Sequence, residues 1–227
     1  MEQLRLFTGL VWRGDGAAAV LERGRWRVAV LAVALACAIA ALNVRRFAGS
    51  VSIESLAYGP ERSDLVRVLL DTIGTARTAV LVYFAEQAWT SVLVVSAAAP
   101  LLVWLLGATA VHAAAAMADA RSRFGRFFVF FGYATASALV PSGLVSLALE
   151  GEPRSPAAVL GRVLGLALLV WLAATAYRGI RAYYGVGSAR ARTILAIAIG
   201  LFYLVPLALI IVAVAALVAA AMALQLA

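Results

Sequence analysis

His112 is the only histidine in the chain, and Asp119 follows it by seven residues. On a helix that spacing puts both side chains on one face, two turns apart. Paired ionisable groups of that kind form proton relays inside membranes. The same histidine would serve as an interfacial group bonded to a neighbouring helix or to water, and the sequence leaves both readings open. Ser142-Gly143 offers a hydroxyl, which a base such as His112 would have to activate for nucleophilic chemistry. No nucleophile motif surrounds it. One histidine, one cysteine (Cys37) and no carboxylate in the middle of an apolar stretch do not make up a usual zinc ligand set. Gly185-Val186-Gly187-Ser188 resembles a fragment of a phosphate loop but lacks the lysine and the preceding buried strand, so it reads as a turn. These residues assign no catalytic, cofactor-binding or metal site. The expectation is a protein that is not an enzyme and holds no cofactor.

Two further residues stand out within one apolar stretch. Tyr133 places a hydroxyl inside it, and Pro141 marks a kink that neighbouring helices must re-satisfy. Arg178, Arg181, Arg190 and Arg192, with Tyr183 and Tyr184, form a basic, aromatic segment that contains no acid. Contact with anionic lipid headgroups is one use for such a segment, at about 1 kcal/mol per basic residue. Setting the topology is the other. Gly161 and Gly165 form a GxxxG pair that permits close helix approach, within the bundle or between copies. Arg162, one turn from a membrane boundary, is placed to snorkel toward headgroups or toward Glu150 and Glu152.

The elements that must position these residues are five apolar stretches: Val28–Val44, Val92–Ala116, Phe127–Leu149, Ala158–Tyr177 and Ile194–Leu224. About 20 helical residues cross a hydrocarbon core of ~30 Å, and each stretch meets or approaches that length. The whole chain is 65% apolar and only 13% charged, with a mean hydropathy of +0.99. Soluble domains carry about 25% charged residues. The fold expected is all-α: a polytopic transmembrane bundle of five spans, residues 28–227, preceded by a cytoplasmic segment 1–27. Cys37 lies inside the first span and has no partner for an intrachain disulfide. The first apolar run ends in Asn43-Val44-Arg45-Arg46 and lacks the small-residue pattern of a cleaved signal.

All 19 basic residues are arginine, and with abundant alanine this suggests a GC-rich, bacterial genome. Their placement gives an orientation. Segment 1–27 and the gaps after the second and fourth stretches hold 12 arginines against 4 acids, and the remaining gaps hold 7 against 7. The arginine-rich side should be cytoplasmic. This puts the N-terminus inside and the C-terminus outside a bacterial inner membrane. Arg45-Arg46, directly after the first span, runs against the rule. The net charge of +8 is thereby explained by topology, without nucleic acid as a partner. In segment 1–27, Leu4, Phe7 and Val11 recur at helical spacing, as for a short helix on the inner surface. Trp26 sits between two arginines as an interfacial anchor. In the extracytoplasmic segment 45–91, Leu65, Leu69, Ile73, Ala76, Val80, Tyr83 and Gln87 share a face from Ser63 to Gln87. That pattern predicts an amphipathic helix lying on the outer surface or capping the bundle, with a solvated loop helix as the alternative.

Taken together, Trp104 and His112, the basic turn ending in Arg123-Phe124-Gly125, Gly132-Tyr133, Pro141 and the Tyr177–Tyr184 segment resemble the Yip (Ypt-interacting) membrane proteins and their prokaryotic branch. The resemblance covers roughly residues 25–224. It implies five spans, a cytoplasmic N-terminus and a bundle without enzymatic chemistry. Eukaryotic members bind Rab-type GTPases in vesicle traffic, a role that does not transfer to a bacterial chain. The function expected is a non-catalytic scaffold or adaptor for membrane proteins or lipid. The partners expected are the lipid bilayer and either another membrane protein or further copies of the chain. The alternative is a small transporter, channel or lipid-translocating protein. That would call for more mid-membrane polarity than Thr109, Tyr133, Ser137 and Thr175 supply.

Overall fold

A computed structural model describes residues 2–12, 16–49, 53–59, 67–68, 70, 72, 74–120, 124–149 and 155–226. Among the described residues all regular structure is helical. The helices are α1 (Glu2–Trp12), α2 (Gly16–Arg23), α3 (Trp26–Ala48), α4 (Ile53–Tyr58), α5 (Thr75–Ala97), α6 (Ala99–Met117), α7 (Phe124–Leu149), α8 (Pro156–Tyr184) and α9 (Ser188–Leu226). Six of them, α3 and α5 to α9, are long and apolar enough to cross a membrane. This is one more than the five apolar stretches predict. The stretch Val92–Ala116 is not one helix. It is divided at Ala98, which lies at φ −84° and ψ −3° between α5 and α6. Pro100, two residues on, lacks the N–H that would bond the Ser96 carbonyl, and its ring crowds that turn.

The helix expected from Ser63 to Gln87 is also redrawn. Gly74, at φ 86°, interrupts it, and α5 starts at Thr75 and continues ten residues past Gln87. The apolar run from Trp89 to Val95 offers nothing to stop it. Val80 and Tyr83, which the pattern puts on one apolar face, are exposed, and Thr78, off that face, is buried. The Thr78 hydroxyl donates to the carbonyls of Gly74 (2.9 Å) and Leu70 (3.2 Å). Exposed apolar side chains such as Leu81, Phe84 and Val92 occur on more than one side of α5, so its apolar residues do not share the single face of the sequence pattern. Leu65, Leu69 and Ile73 lie outside the described residues.

The chain forms two compact units. The first comprises Met1–Ala32, Leu102–Ala138 and Leu169–Ala227, and the second Val33–Leu101 and Leu139–Leu168. The first unit has the better-filled core, with Phe127, Phe130, Tyr133, Ile180 and Ile194 fully buried. Alanines such as Ala108, Ala114, Ala134 and Ala191, also buried, let its helix backbones approach. Helices α1 and α2 pack on each other and join this core. Among the described side chains of α1, Leu6 and Leu10 are buried, Phe7 is half-buried and Leu4 is exposed. In the second unit α4 packs on α5, and α3 contacts the end of α7.

Candidate functional site

Tyr133 is fully buried in the first unit, and its hydroxyl ties three segments together. It accepts a hydrogen bond from the backbone N–H of Arg25 (3.2 Å) and donates one to Oε1 of Gln3. Gln3 in turn donates through Nε2 to the Arg23 carbonyl at the end of α2 (3.3 Å). The Tyr133 ring stacks on Phe7 of α1, with centroids 4.5 Å apart. Arg25 caps α3, since its carbonyl receives the N–H groups of Val28 and Ala29. The Tyr133 hydroxyl thus satisfies a donor in the two-residue link between α2 and α3. Arg126 makes a parallel tie, from Nη1 to the Glu22 carbonyl (3.0 Å).

Gly132 and Trp104 sit beside this latch. A Cβ on Gly132 would lie 3.0 Å from Ala29 Cβ and from the Trp104 indole, so the glycine is what lets α3 and Trp104 close on α7. The indole Nε1 donates to the Phe128 carbonyl (2.8 Å), which meets the need of a buried N–H. Trp26, expected as an interfacial anchor, packs against Trp104 (5.3 Å) and Phe128 (5.4 Å). Gly132, Tyr133 and Trp104 are three of the residues on which the sequence resemblance rests, and they meet in one cluster.

His112 and Asp119 are engaged separately. His112 Nδ1 is 3.1 Å from the Tyr184 hydroxyl of α8, and its ring packs at 4.9 Å from Phe124. Asp119 is exposed and adopts φ 53°. It occupies the left-handed position of a Schellman motif: Ala120 N–H bonds the Ala115 carbonyl (2.8 Å) and Asp119 N–H bonds that of Ala116 (3.1 Å). The role the structure gives Asp119 is to end α6. Arg190, a candidate for lipid headgroups, donates to the Ala118 carbonyl at the same helix end. Arg181 lies 6.0 Å over the Tyr177 ring, and Arg178 and Arg192 are exposed. Gly185, at φ 63°, turns the chain between α8 and α9. Arg121 and Arg123 lie outside the described residues.

In the second unit, Asn43 Nδ2 donates to the Gly143 carbonyl (3.0 Å) and Arg46 Nη1 to that of Leu147 (2.8 Å). The i,i+3 pair on α3 therefore grips carbonyls one turn apart on α7. This gives Arg46 a structural duty near the negative end of α7, where a cation is favoured. It accounts for an arginine that the orientation rule does not. A Cβ on Gly143 would lie 2.5 Å from Ile39 Cγ2. Pro141, exposed, stands two residues before this close approach. Ser142 faces Gly165 of α8, since a Cβ there would come 3.7 Å from Ser142 Oγ, and Gly161 faces Leu149. The GxxxG pair thus packs on α7 at ordinary contact distance. Gln3, Asn43, Arg46 and Arg126 were missed as candidates. Only Asn43, a lone amide at the end of an apolar stretch, carried a signal.

Among the described residues no three His, Cys, Asp or Glu side chains gather as a metal site would require. A family model, the Yip1 domain, matches residues 10–211. No curated protein and no solved structure matches the chain.

Proposed function

Because this chain belongs to the Yip1 domain family, as a multi-pass helical membrane protein, we propose that it crosses the membrane five times and acts without bond chemistry. In this reading it is a scaffold or adaptor that holds other membrane proteins or lipid. The observation that carries it is the use of polar side chains at the contacts between helices. Tyr133, Trp104, His112, Asn43, Arg46, Arg126 and Arg190 each bond a neighbouring helix or linker. Spent in this way, they hold the bundle together.

Two arguments favour five crossings over six. A single residue in right-handed conformation makes a kink, whereas antiparallel helices need a loop of about 2–5 residues. Helices α5 and α6 together run about 43 residues, roughly 64 Å, twice a hydrocarbon core of ~30 Å. One of the two therefore lies outside a crossing. A sixth crossing would also carry the arginines of 121–126 and 178–192 to the side opposite Arg5, Arg23, Arg25 and Arg27. With α5 on the outer face, both groups share the cytoplasmic side with the N-terminus. The C-terminus is then outside, at a bacterial inner membrane.

Single cysteines in a chain with Cys37→Ala test the topology. Gln87→Cys should react with an impermeant reagent from outside, and Ser188→Cys only after the membrane is opened. Protection of Gln87→Cys would place α5 in the bilayer, and the reverse labelling pattern would invert the orientation. Reconstitution in liposomes tests the scaffold reading. Robust ion or lipid flux that is lost on His112→Ala would establish the transporter or channel alternative. Purification from native membranes in mild detergent should bring down a stoichiometric partner protein.

A further inference from the structure

We propose that the groove bounded by α6, α8 and α9 binds one phospholipid with an anionic headgroup, its acyl chain in the groove and its phosphate at Arg192. The groove lies within the first unit and encloses about 240 Å³. Small residues, Ala173 and Ala176, line it on α8, and Gly107 on α6 lets the Phe131 ring close in, since a Cβ there would lie 2.5 Å from Phe131 Cε1. Phe131 of α7 lies beneath, and Leu195 and Ile199 of α9 complete the wall. The lining is almost wholly apolar and the groove is partly open, which suits a hydrocarbon chain.

The upper end supplies the charge. Leu195, Ile199 and Phe202 recur on α9 at the spacing of one helix face, and Arg192 heads that stripe one turn before Leu195. Arg190, two residues earlier, is committed to the Ala118 carbonyl, and Arg181 lies over Tyr177. Arg192 is exposed, and among the described residues no hydrogen bond or ion pair engages it. The whole of 178–192 carries four arginines and no acid, which complements a phosphate. The lengths agree as well. From Leu195 to Tyr203 the groove follows α9 for roughly 12 Å, and with Arg192 one turn above it the site spans roughly 16 Å, about half of a ~30 Å core. The inference rests on the proposed topology only for which leaflet supplies the lipid.

The test uses the full chain in nanodiscs with a phosphatidylglycerol that bears a diazirine in its acyl chain. Photolabelling of α8 and α9 peptides should saturate. Unlabelled phosphatidylglycerol should displace it at least roughly fivefold better than phosphatidylcholine, the ratio expected for one surface arginine. Arg192→Gln should erase that preference, and Ala173→Phe, which fills the groove, should abolish labelling. Equal displacement by the two lipids, or labelling unchanged in Ala173→Phe, would overturn the proposal. So would crosslinking of Ala173→Cys to a second copy, which would mean the groove is an interface between chains. If Ala173→Phe does not fold, the exposed Arg192→Gln decides alone. The displacement ratio reads the site in either orientation, whereas cysteine labelling reads the topology, so the two readings fail separately.

Discussion

Replacing Tyr133 by Phe should loosen the attachment of α1 and α2 while leaving the core filled. The ring is retained, so the stack on Phe7 at 4.5 Å survives. The loss is the hydroxyl that serves Arg25 N–H and Gln3 Oε1. A net neutral hydrogen bond contributes about 0.5–1.5 kcal/mol, and a buried donor left without a partner costs about 1–3 kcal/mol. Together these predict a destabilisation of about 2 kcal/mol, or roughly 4–8 °C in the unfolding midpoint for a chain of this size. Gln3→Ala keeps the Arg25 bond and should cost less, about 1 kcal/mol. The two substitutions share one bond, so the double variant should fall short of their sum by about 0.5–1 kcal/mol. Thermal unfolding in detergent measures all three. Trypsin reads the local effect, because Arg23, Arg25 and Arg27 flank the freed link. Cleavage there should accelerate by roughly an order of magnitude or more if it follows the open population. An unchanged midpoint and unchanged cleavage in Tyr133→Phe would refute the latch. Loss of flux with stability intact would instead assign the hydroxyl to a ligand.

Asp119→Gly should stabilise the protein by about 0.5–1 kcal/mol, because glycine adopts the left-handed position at lower cost. A loss of activity with stability unchanged would return Asp119 to the proton-relay reading. Gly143→Ala pushes a methyl group to 2.5 Å from Ile39 Cγ2 and should cost about 1–3 kcal/mol, recovered in part by Ile39→Val. Gly165→Ala meets Ser142 Oγ at 3.7 Å and should change the melting midpoint by less than the equivalent of about 0.5 kcal/mol. A large effect at Gly165 would point to a tighter interface with a second copy. Thr135 and Thr175 bury hydroxyls that have no hydrogen-bond partner. Either one changed to Val should be neutral or stabilising in the same assay, and a flux defect without destabilisation would place them on a polar path.

Membrane residence was legible because the bilayer imposes a length on each apolar stretch, and that constraint acts locally in sequence. The boundary at Ala98 was less so. Residues 92–97 and 99–116 are equally apolar, and only Pro100 marks the break. A proline in a membrane helix is ordinarily a kink within one span, so composition favoured one helix where the structure has two. The error at α5 has a different source. Periodicity put Val80 and Tyr83 on one apolar face, but Leu81 and Val92, off that face, are exposed as well, and in lipid an apolar side chain gains nothing by facing protein rather than acyl chains. Hydrophobic patterning therefore finds membrane helices without orienting them. Small residues orient them better, as at Gly132 under Trp104 and Gly143 under Ile39.

The same physics explains which site residues sequence spacing misplaced. Seven residues join His112 to Asp119 on one helical face only if the helix continues past Met117, and the Schellman turn ends it there. His112 then bonds Tyr184, 72 residues away, a contact that spacing cannot reveal. Arg46 shows the opposite case. Read as a loop charge it contradicts the orientation rule, but it serves as a donor to the end of α7, and the rule counts charges without asking what they bond. A variant Arg46→Leu should therefore lower stability without inverting the topology.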